Sequence, residues 1–524
     1  MSSIPVDRYP GLPPLFLDFA RGESPLYPDP PAMDAALARG RALFEGRRMT
    51  PLPARAFRFR GASGRKAAED LAAGRAVPVL AGHQVGLFTG PLYTLGKAFD
   101  AIAIARELTR LGVPAVPVFW ALTDDHDLEE VARTARPGPD GPERFVLEGA
   151  DRSNRAPVGE RPIPDGVTAI VEAFRESAKS DEAHAIVDQF AGRYAPGQTY
   201  GEAFIETLLD LVGDEEPILV LDPLGDDVTE VARGLFERGR ERRTELVEAL
   251  RSAAEAVSKT GREPVVPFKP DLFPFFVIED GARRRVEVGD LERIVEKLGQ
   301  GEVRVSADVL TRPVLKSLVL PAAVSVLGPS EIAYHAQALP LFPLFDATVP
   351  VLVPRTFVVP RGPAERRTAA ALGIPDEDLL DRKAWQGEAT PVPQADRIEE
   401  VARDLELEMA SLAPSLEEID PTLAGALETA RRKATYQIEQ LAERVRKAAE
   451  RKDEVALNRR RRLEATILPG GEPAERVYPP LVFLLAWGRG FLDTVRAAAG
   501  NGGSVVVVDV DGPAEAETKK SHAG

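Results

Sequence analysis

Two short runs of this chain end in side chains that could do chemistry. His83 and Gln84 follow the apolar stretch VPVLAG, and Asp124, Asp125, His126 and Asp127 follow AVPVFWALT. The second run is the densest titratable cluster in the sequence. Its four groups cannot all be buried unpaired, because each lone buried charge costs several kcal/mol. Such a cluster could recognise an amine, serve as a general base or hold a metal. A hydrolytic metal site needs a further His/Asp motif that the sequence lacks, so amine or ribose recognition is preferred and no metal ligand set is assigned. The structural alternative is a capping box, with Asp127 as N-cap and Glu130 at N3 of a helix beginning near Leu128. For His83 and Gln84 the alternative is a polar cap on the turn that follows them.

These residues must be positioned by a βαβ unit. VPVL and AVPVFWAL read as buried parallel strands, and the segment GLFTGPLYTLGKA between them opens a helix. Pro91 suits a first helical turn, where its missing N–H would be unpaired anyway, while Gly86 and Gly90 allow close backbone approach. The carboxyl ends of the strands then lie beside a helix N-terminus, where N–H groups and the positive dipole end could hold an anion. Thr89, Gly90 and Tyr93 are placed to meet phosphate or sugar, and Lys97, two turns in, to reach a carboxylate or else to sit on an exposed face.

Two later strands could reach the same edge. LPAAVSVLGPSEIAYHAQ (320–337) would deliver Gly328, Glu331 and Tyr334, and VPVLVPR (349–355) would deliver Arg355. Arg312 precedes Pro313 and Arg355 follows Pro354, so both guanidinium forks sit on rigid turns suited to anions, or to structural ion pairs. Glu331 could instead simply favour the first turn of a helix.

Bulk composition narrows the partners. The 524 residues carry a formal charge of −16, which argues against nucleic acid or anionic membrane, since either would need a net basic face. There is no Cys, so thiolate nucleophiles, disulfides and Cys-ligated zinc are excluded, and only five His remain. The start lacks a basic segment followed by an apolar one, and no apolar run approaches the roughly 20 residues of a membrane span, so a soluble cytoplasmic protein is expected.

The length predicts more than one domain. Residues 1 to about 75 are Pro-rich and then helical, with little site chemistry. The α/β core runs over 1–394 with inserts at about 136–215 and 260–312; within it, about Arg136 to Asp165 reads as an irregular excursion, and a long charged helix is expected from about Asp226 to Ser258. Asp280-Gly281 between alternating runs marks a hairpin in the second insert, apart from the parallel sheet. Over 395–463, Ile398, Val401, Leu405, Met409 and Leu412, and then Leu423 to Ala448 at spacings of three and four, predict a coiled-coil hairpin turned at Pro414 and Pro421. Residues 464–511 return to the core with a last strand in GSVVVVDVD, and 512–524 read as a disordered tail.

The segments GHQVGLFTGPLYTLGKA, PVFWALTDDHDLEE, DVLTRPVLKSLVLPAAVSVLGPSEIAYHAQ, VPVLVPR and LPGGEPAERVY resemble, in order and wording, the cysteine ligases of bacillithiol synthesis (BshC), over about Val77 to Leu492. The resemblance implies a Rossmann-like core of the class I nucleotidyltransferase type with connecting-peptide inserts and an α-helical coiled coil that pairs two subunits. It also implies ATP, with Mg2+, as the source of activation, through an adenylate or acyl phosphate, for joining cysteine to the amine of glucosaminyl malate. His83 and Gln84 would then form the phosphate-steadying signature and, with His126 and Asp127, the catalytic set. Gly86, Thr89, Gly90, Tyr93, Lys97, Asp125, Arg312, Gly328, Glu331, Tyr334 and Arg355 would bind substrate or nucleotide. Relatives carry Glu at the position of Asp125, a bulkier residue at Gly96, and Gly at Ser330, which would matter if that backbone needed a positive φ. A ligase for a different amine, or a nucleotide-binding scaffold whose coiled coil is the working surface, are the other readings.

Overall fold

The computed structural model describes residues 1–28, 32–46, 49–138, 141–386, 393–420, 423–450 and 454–511. The expected disordered tail and the turn at Pro421 lie outside the described residues. Six strands form the central sheet: β1 (Phe57–Arg58), β2 (Val77–Gln84), β3 (Ala115–Leu122), β4 (Leu219–Leu221), β5 (Val324–Leu327) and β6 (Val351–Pro354), in the spatial order β6-β5-β2-β3-β4-β1. All pairs are parallel except β1 with β4. Strands β2 and β3 are buried along almost their whole length, which their continuous apolar sequence allows, and they pair from Val77 with Ala115 to Gln84 with Leu122. Helix α1 (Leu92–Arg110) connects them and buries side chains around most of its circumference.

The chain proceeds from β2 outward to β3 and β4, then returns to the other side of β2 as β5 and β6. This reversal makes the gap between the carboxyl ends of β2 and β5 a topological switch point, where the outgoing loops diverge and leave a crevice.

Two excursions border that crevice. Between β3 and β4, the stretch expected to be irregular contains an antiparallel hairpin, Arg133–Gly138 with Gly141–Val146, followed by helices at Val167–Ser177, Asp181–Arg193 and Tyr200–Val212. Between β4 and β5, the expected single charged helix is two, Asp226–Glu241 and Arg243–Lys259, broken at Arg242. A three-stranded antiparallel sheet follows, with Leu272–Glu279 between Ala282–Glu287 and Arg304–Ala307. Its hairpin turns at Asp280 and Gly281 with φ of 52° and 76°, the left-handed pair that an Asp-Gly turn provides. Helices α2 (Arg312–Val319) and α3 (Pro329–Ala338) flank β5.

The helical hairpin consists of α4 (Pro393–Ser411) and α5 (Leu423–Glu450), and α6 (Glu454–Ile467) leads back to the core. Ion pairs link its arms, Arg431 with Glu406 at 2.8 Å and Arg446 with Asp396 at 3.2 Å. Burial is sparse: Ala395, Ala402 and Ala442 are covered, whereas Val401, Leu407, Leu412, Tyr436 and Leu441 are exposed. Among the described residues no helix is long and apolar enough to cross a membrane.

A third sheet joins the two ends of the described chain. Val505–Asp509 lies between Ser2–Ile4 and Phe357–Arg361. Beside it, α7 (Ala474–Val477) carries Glu475, which is completely buried. Its carboxylate accepts hydrogen bonds from Tyr9 Oη (2.7 Å), Arg355 Nη1 (2.8 Å) and Val358 N (2.8 Å). The Arg355 guanidinium also lies 4.6 Å from the ring of Tyr93 and 4.4 Å from that of Phe357. One carboxylate thus ties together the N-terminal segment, the exit of β6 and the C-terminal return, and α1 joins them through Tyr93. Removing one member of a buried pair leaves the other charge uncompensated, so Glu475→Ala should lower the unfolding free energy by roughly 3–5 kcal/mol in urea titrations. The Glu475→Leu/Arg355→Met double variant should lose less than the two single changes combined, and a single-variant loss below about 1 kcal/mol would contradict the pairing.

Candidate functional site

At the switch point three adjoining cavities, of about 430, 440 and 430 Å³, meet at Gln84. The first lies between the ends of β2 and β5 and is lined by His83, Tyr93, Lys97, Asp125, Arg312, Gly328, Glu331, Tyr334 and Arg355. The N-terminal segment closes it with Tyr9 and Gly11, although sequence reasoning assigned that segment little site chemistry. The second holds His126 and Asp127 against the antiparallel insert, and shares Gln84, Asp125 and Arg312 with the first. The third, between the Arg133–Val146 hairpin and the C-terminal return, contains Gly86, Gly90 and Glu130.

The floor of the first cavity is an ion pair. Lys97, 2% exposed, contacts the Glu331 carboxylate and donates to Gly82 O at 3.1 Å. Burial alone would raise the Glu331 carboxyl, but Lys97, Lys316 and the Gly328 N–H, which donates to it at 2.6 Å, hold it down at about 2. Lys97 is therefore neither on an exposed face nor free to reach a ligand carboxylate. Ser330 is in the first turn of α3, with a helical backbone that needs no glycine.

His83 is neutral: burial, then the nearby Lys97 charge, pushes its pKa down to about 3. Its Nδ1–H donates to Gln84 O at 3.2 Å, so Nε2 is the acceptor for the Tyr93 hydroxyl at 3.0 Å. With both nitrogens engaged, the ring offers no N–H to a phosphate oxygen. It instead fixes the direction of the Tyr93 hydroxyl.

The expected anion cradle at the start of α1 is not formed. The N–H groups of Gly86, Gly90 and Leu92 donate to Gln84 O, Leu87 O and Tyr478 O at 3.0, 3.0 and 2.8 Å. Gly86 is required for a contact within the loop, because a Cβ there would lie 2.9 Å from Gly90 Cα. Thr89 does not face the cleft: with φ of 69° it turns inward, its N–H donating to Tyr194 Oη at 2.8 Å and its hydroxyl to Phe88 O at 2.6 Å.

Arg355 reaches the cavity wall, but its charge is committed to Glu475. Arg312 is less committed. It lies 3.8 Å from Asp124 and 4.0 Å from Asp125, beyond hydrogen-bond length, and its buried Nε has no protein partner; nor do Gln84 Oε1 and Asp124 Oδ1. Burial opposes the Arg312 charge, while Asp124 and Asp125 reinforce it. Asp125, which burial would raise, is held low by Arg312 and Arg283. Asp127 caps the short helix Leu128–Val131 by accepting from Glu130 N at 3.3 Å, which is the N-cap half of the expected capping box; the Glu130 carboxylate makes no return bond to the Asp127 N–H. Glu130, although exposed at the rim, is raised by partial desolvation and then by Asp127 and Asp125.

Sequence reasoning missed Arg283, whose guanidinium is 1% exposed and 2.8 Å from His126 Nδ1. It also took Glu130 only as a cap, and omitted Arg476 and Tyr9. The Arg283-Arg284-Arg285 run was visible, but nothing in it shows that this hairpin folds against a strand end almost 160 residues earlier. Among the described residues no group of three or more His, Asp or Glu side chains is placed to hold a metal ion.

Fold and cleft together define a Rossmann-like α/β domain, with its site at the topological switch point, joined to a C-terminal coiled-coil domain. Residues 54–356 match the N-terminal Rossmann-like domain of the bacillithiol biosynthesis protein BshC, and residues 374–501 match its C-terminal coiled-coil domain. The chain belongs to the BshC family. Curated relatives named "Putative cysteine ligase BshC" include one from Bacillus cytotoxicus, 28% identical over 450 residues (82% of this chain, 83% of the relative). One from Koribacter versatilis is 29% identical over 442 residues (81% and 82%), and one from Bacillus cereus is 27% identical over 438 residues (80% and 81%).

Two buried imidazoles give the fold an acid-side weakness. His83 stays neutral to about 3 and His335, whose buried ring donates from Nδ1 to Glu331 O at 2.7 Å, to about 4. An unfolded imidazole titrates near about 6.5, so below that pH the unfolded state binds more protons. Each residue therefore contributes stability at pH 7 that is lost as the pH falls from about 6.5 toward the folded values. The midpoint of thermal unfolding should drop between pH 7 and 5, and drop less steeply in His335→Gln; parallel curves would show that His335 is protonated in the native state.

Proposed function

We propose that this protein is an ATP-dependent ligase that joins the carboxyl group of L-cysteine to the amine of glucosaminyl malate. The observation that carries the reading is the meeting of three lobes at Gln84, each lined by both guanidinium groups, which suit a phosphate or carboxylate, and carboxylates, which suit an amine. The names of the relatives point the same way. A scaffold with no chemistry would have no need for these groups to converge.

The residues fit a nucleotide's phosphates in one respect: Arg312 has an unpartnered buried Nε and no acidic group within ordinary hydrogen-bond length. Arg312 would hold a phosphate oxygen, with Mg2+ carried by the phosphates, while the Gly86, Gly90 and Leu92 amides stay bonded to backbone carbonyls. ATP, when bound, supplies the activation that turns a poor electrophile, a carboxylate, into a reactive one. Glu130, exposed at the cavity mouth, is suited to take the proton that the attacking amine must lose, because partial desolvation and two neighbouring carboxylates raise its affinity for protons. Asp127, exposed at the mouth, would attract the incoming ammonium group, and the Tyr93 oxygen, oriented by His83, would position it.

The test is mass spectrometry of mixtures of the purified protein with ATP, cysteine and glucosaminyl malate. A product with the summed masses of cysteine and glucosaminyl malate less one water is expected, together with AMP and pyrophosphate or ADP and phosphate from ATP. Glu130→Gln should slow its formation by about 10²-fold or more with the KM for ATP little changed. Arg312→Met should instead raise the KM for ATP. Absence of product from the folded protein with all three substrates would overturn the reading.

We also propose that the protein is a homodimer paired through α4 and α5. The exposed Leu407, Tyr436 and Leu441 leave apolar area on a hairpin too thin to cover it, and a second copy related by a twofold axis could bury it. Light scattering at micromolar concentration should give twice the chain mass, and Leu407→Glu/Leu441→Glu should give the chain mass. A wild-type monomer would refute the pairing.

A further inference from the structure

His126 is flanked by two guanidinium groups that reach it from different excursions. Arg283, from the antiparallel insert, lies 2.8 Å from Nδ1, and Arg155, from the loop after the Arg133–Val146 hairpin, lies against Nε2. Their backbones are themselves joined, Arg283 N donating to Arg155 O at 2.8 Å. A guanidinium can only donate, and a neutral imidazole has one bare nitrogen, so His126 can accept from one of the two and must present an N–H to the other.

Burial decides which one. Arg283 is held by Nε donating to Ser306 Oγ (2.9 Å), by Nη2 donating to Ala307 O (3.3 Å), by Asp125 Oδ1 at 3.3 Å, and by stacking 3.6 Å over the ring of Phe276. It cannot turn away without breaking all of these. Arg155 makes its contact at the exposed rim, with only a long bond to Arg283 O at 3.4 Å besides.

We propose that Arg283 is a positioning residue which fixes His126 as the Nε2–H tautomer, so that this imidazole is a hydrogen-bond donor facing the second cavity rather than a base. A protonated Nε2 cannot accept from Arg155 Nη2, so the exposed Arg155 must turn off the ring from its present contact, which leaves two N–H donors at the rim of the cavity without an acceptor. An oxyanion, carboxylate or phosphate, entering the 440 Å³ cavity would satisfy both. The other charged groups facing the ring are Asp125, whose Oδ1 accepts from His126 N at 2.7 Å, and Asp127. Burial and Arg283 together keep the ring from protonating, against the pull of the two carboxylates. The tautomer follows from the protein's own contacts and does not depend on the ligase reading; only the identity of the oxyanion does.

The experiment is a two-bond 1H–15N spectrum of histidine-labelled full-length protein, with the His126 signals assigned by their loss in His126→Gln. At pH 7 the native protein should show His126 with its proton on Nε2. Arg155→Ala, a change at the rim that leaves the core intact, should keep that tautomer, whereas Arg283→Met should yield a mixture of tautomers and a titration moved up toward that of a free imidazole. A proton on Nδ1 in the native protein, or a switch to Nδ1–H in Arg155→Ala, would overturn the proposal, and should Arg283→Met not fold, those two spectra still decide it. Added inorganic phosphate should shift the Nε2 resonance in the native protein and less in Arg155→Ala. An equal shift in both would show that Arg155 and Nε2–H do not share an oxyanion and would remove that part of the proposal.

Discussion

A cation withdrawn from water into a protein core costs several kcal/mol unless a carboxylate goes with it, and that requirement organises this molecule. Arg355 is buried with Glu475, Lys97 with Glu331, and Arg283 with Asp124 and Asp125. Each pair joins elements distant in the chain: the exit of β6 to the C-terminal return, α1 to α3, and the antiparallel insert to the end of β3. The apolar core supplies most of the burial but is indifferent to which loops meet. The pairs are not, since a mismatched arrangement would leave a charge alone in low dielectric.

The same pairs set the character of the cleft. Because Lys97 and Arg355 are neutralised in place, the positive potential within reach of a ligand rests on Arg312 and on the other arginines of the second and third cavities, where Asp127 and Glu130 stand among them as groups favourable to a cation. The imidazoles stay neutral for a related reason. His83, His126 and His335 are all desolvated, and each also faces a fixed cation. The work of His83 and His126 in the cleft is to direct hydrogen bonds, which needs a definite tautomer more than a titratable proton.

The helical hairpin follows a different balance. Its covered positions are alanines, which permit close approach but bury little area, and surface ion pairs such as Arg431 with Glu406 are worth about 1 kcal/mol or less. Where α6 re-enters, Leu463, Ile467 and Leu468 pack with Ile4, Phe357 and Val507, so the root of the hairpin is fastened by the core that joins the two ends of the described chain.

Much of this was legible in the residues themselves. Continuous apolar runs marked β2 and β3, Asp-Gly marked the hairpin of the insert, a spacing of three and four marked the coiled coil, and polar residues at strand ends pointed to the edge of the sheet where the three cavities meet, because these signals depend on local backbone preference and on periodic burial. What the sequence could not carry was which groups spend their charge on one another. Arg355 and Lys97 read as ligand contacts until Glu475 and Glu331 are seen beside them. The start of α1 read as an anion cradle until its amides are seen bonded to carbonyls, one of them from Tyr478. Arg283 lay in a run of three arginines with nothing local to single it out. A partner hundreds of residues away leaves no trace in local spacing, whereas the energy of a buried charge depends almost wholly on that partner, so the sequence determined the fold's elements and the edge where chemistry could occur, and only tertiary structure decided which side chains at that edge remain free to meet a ligand.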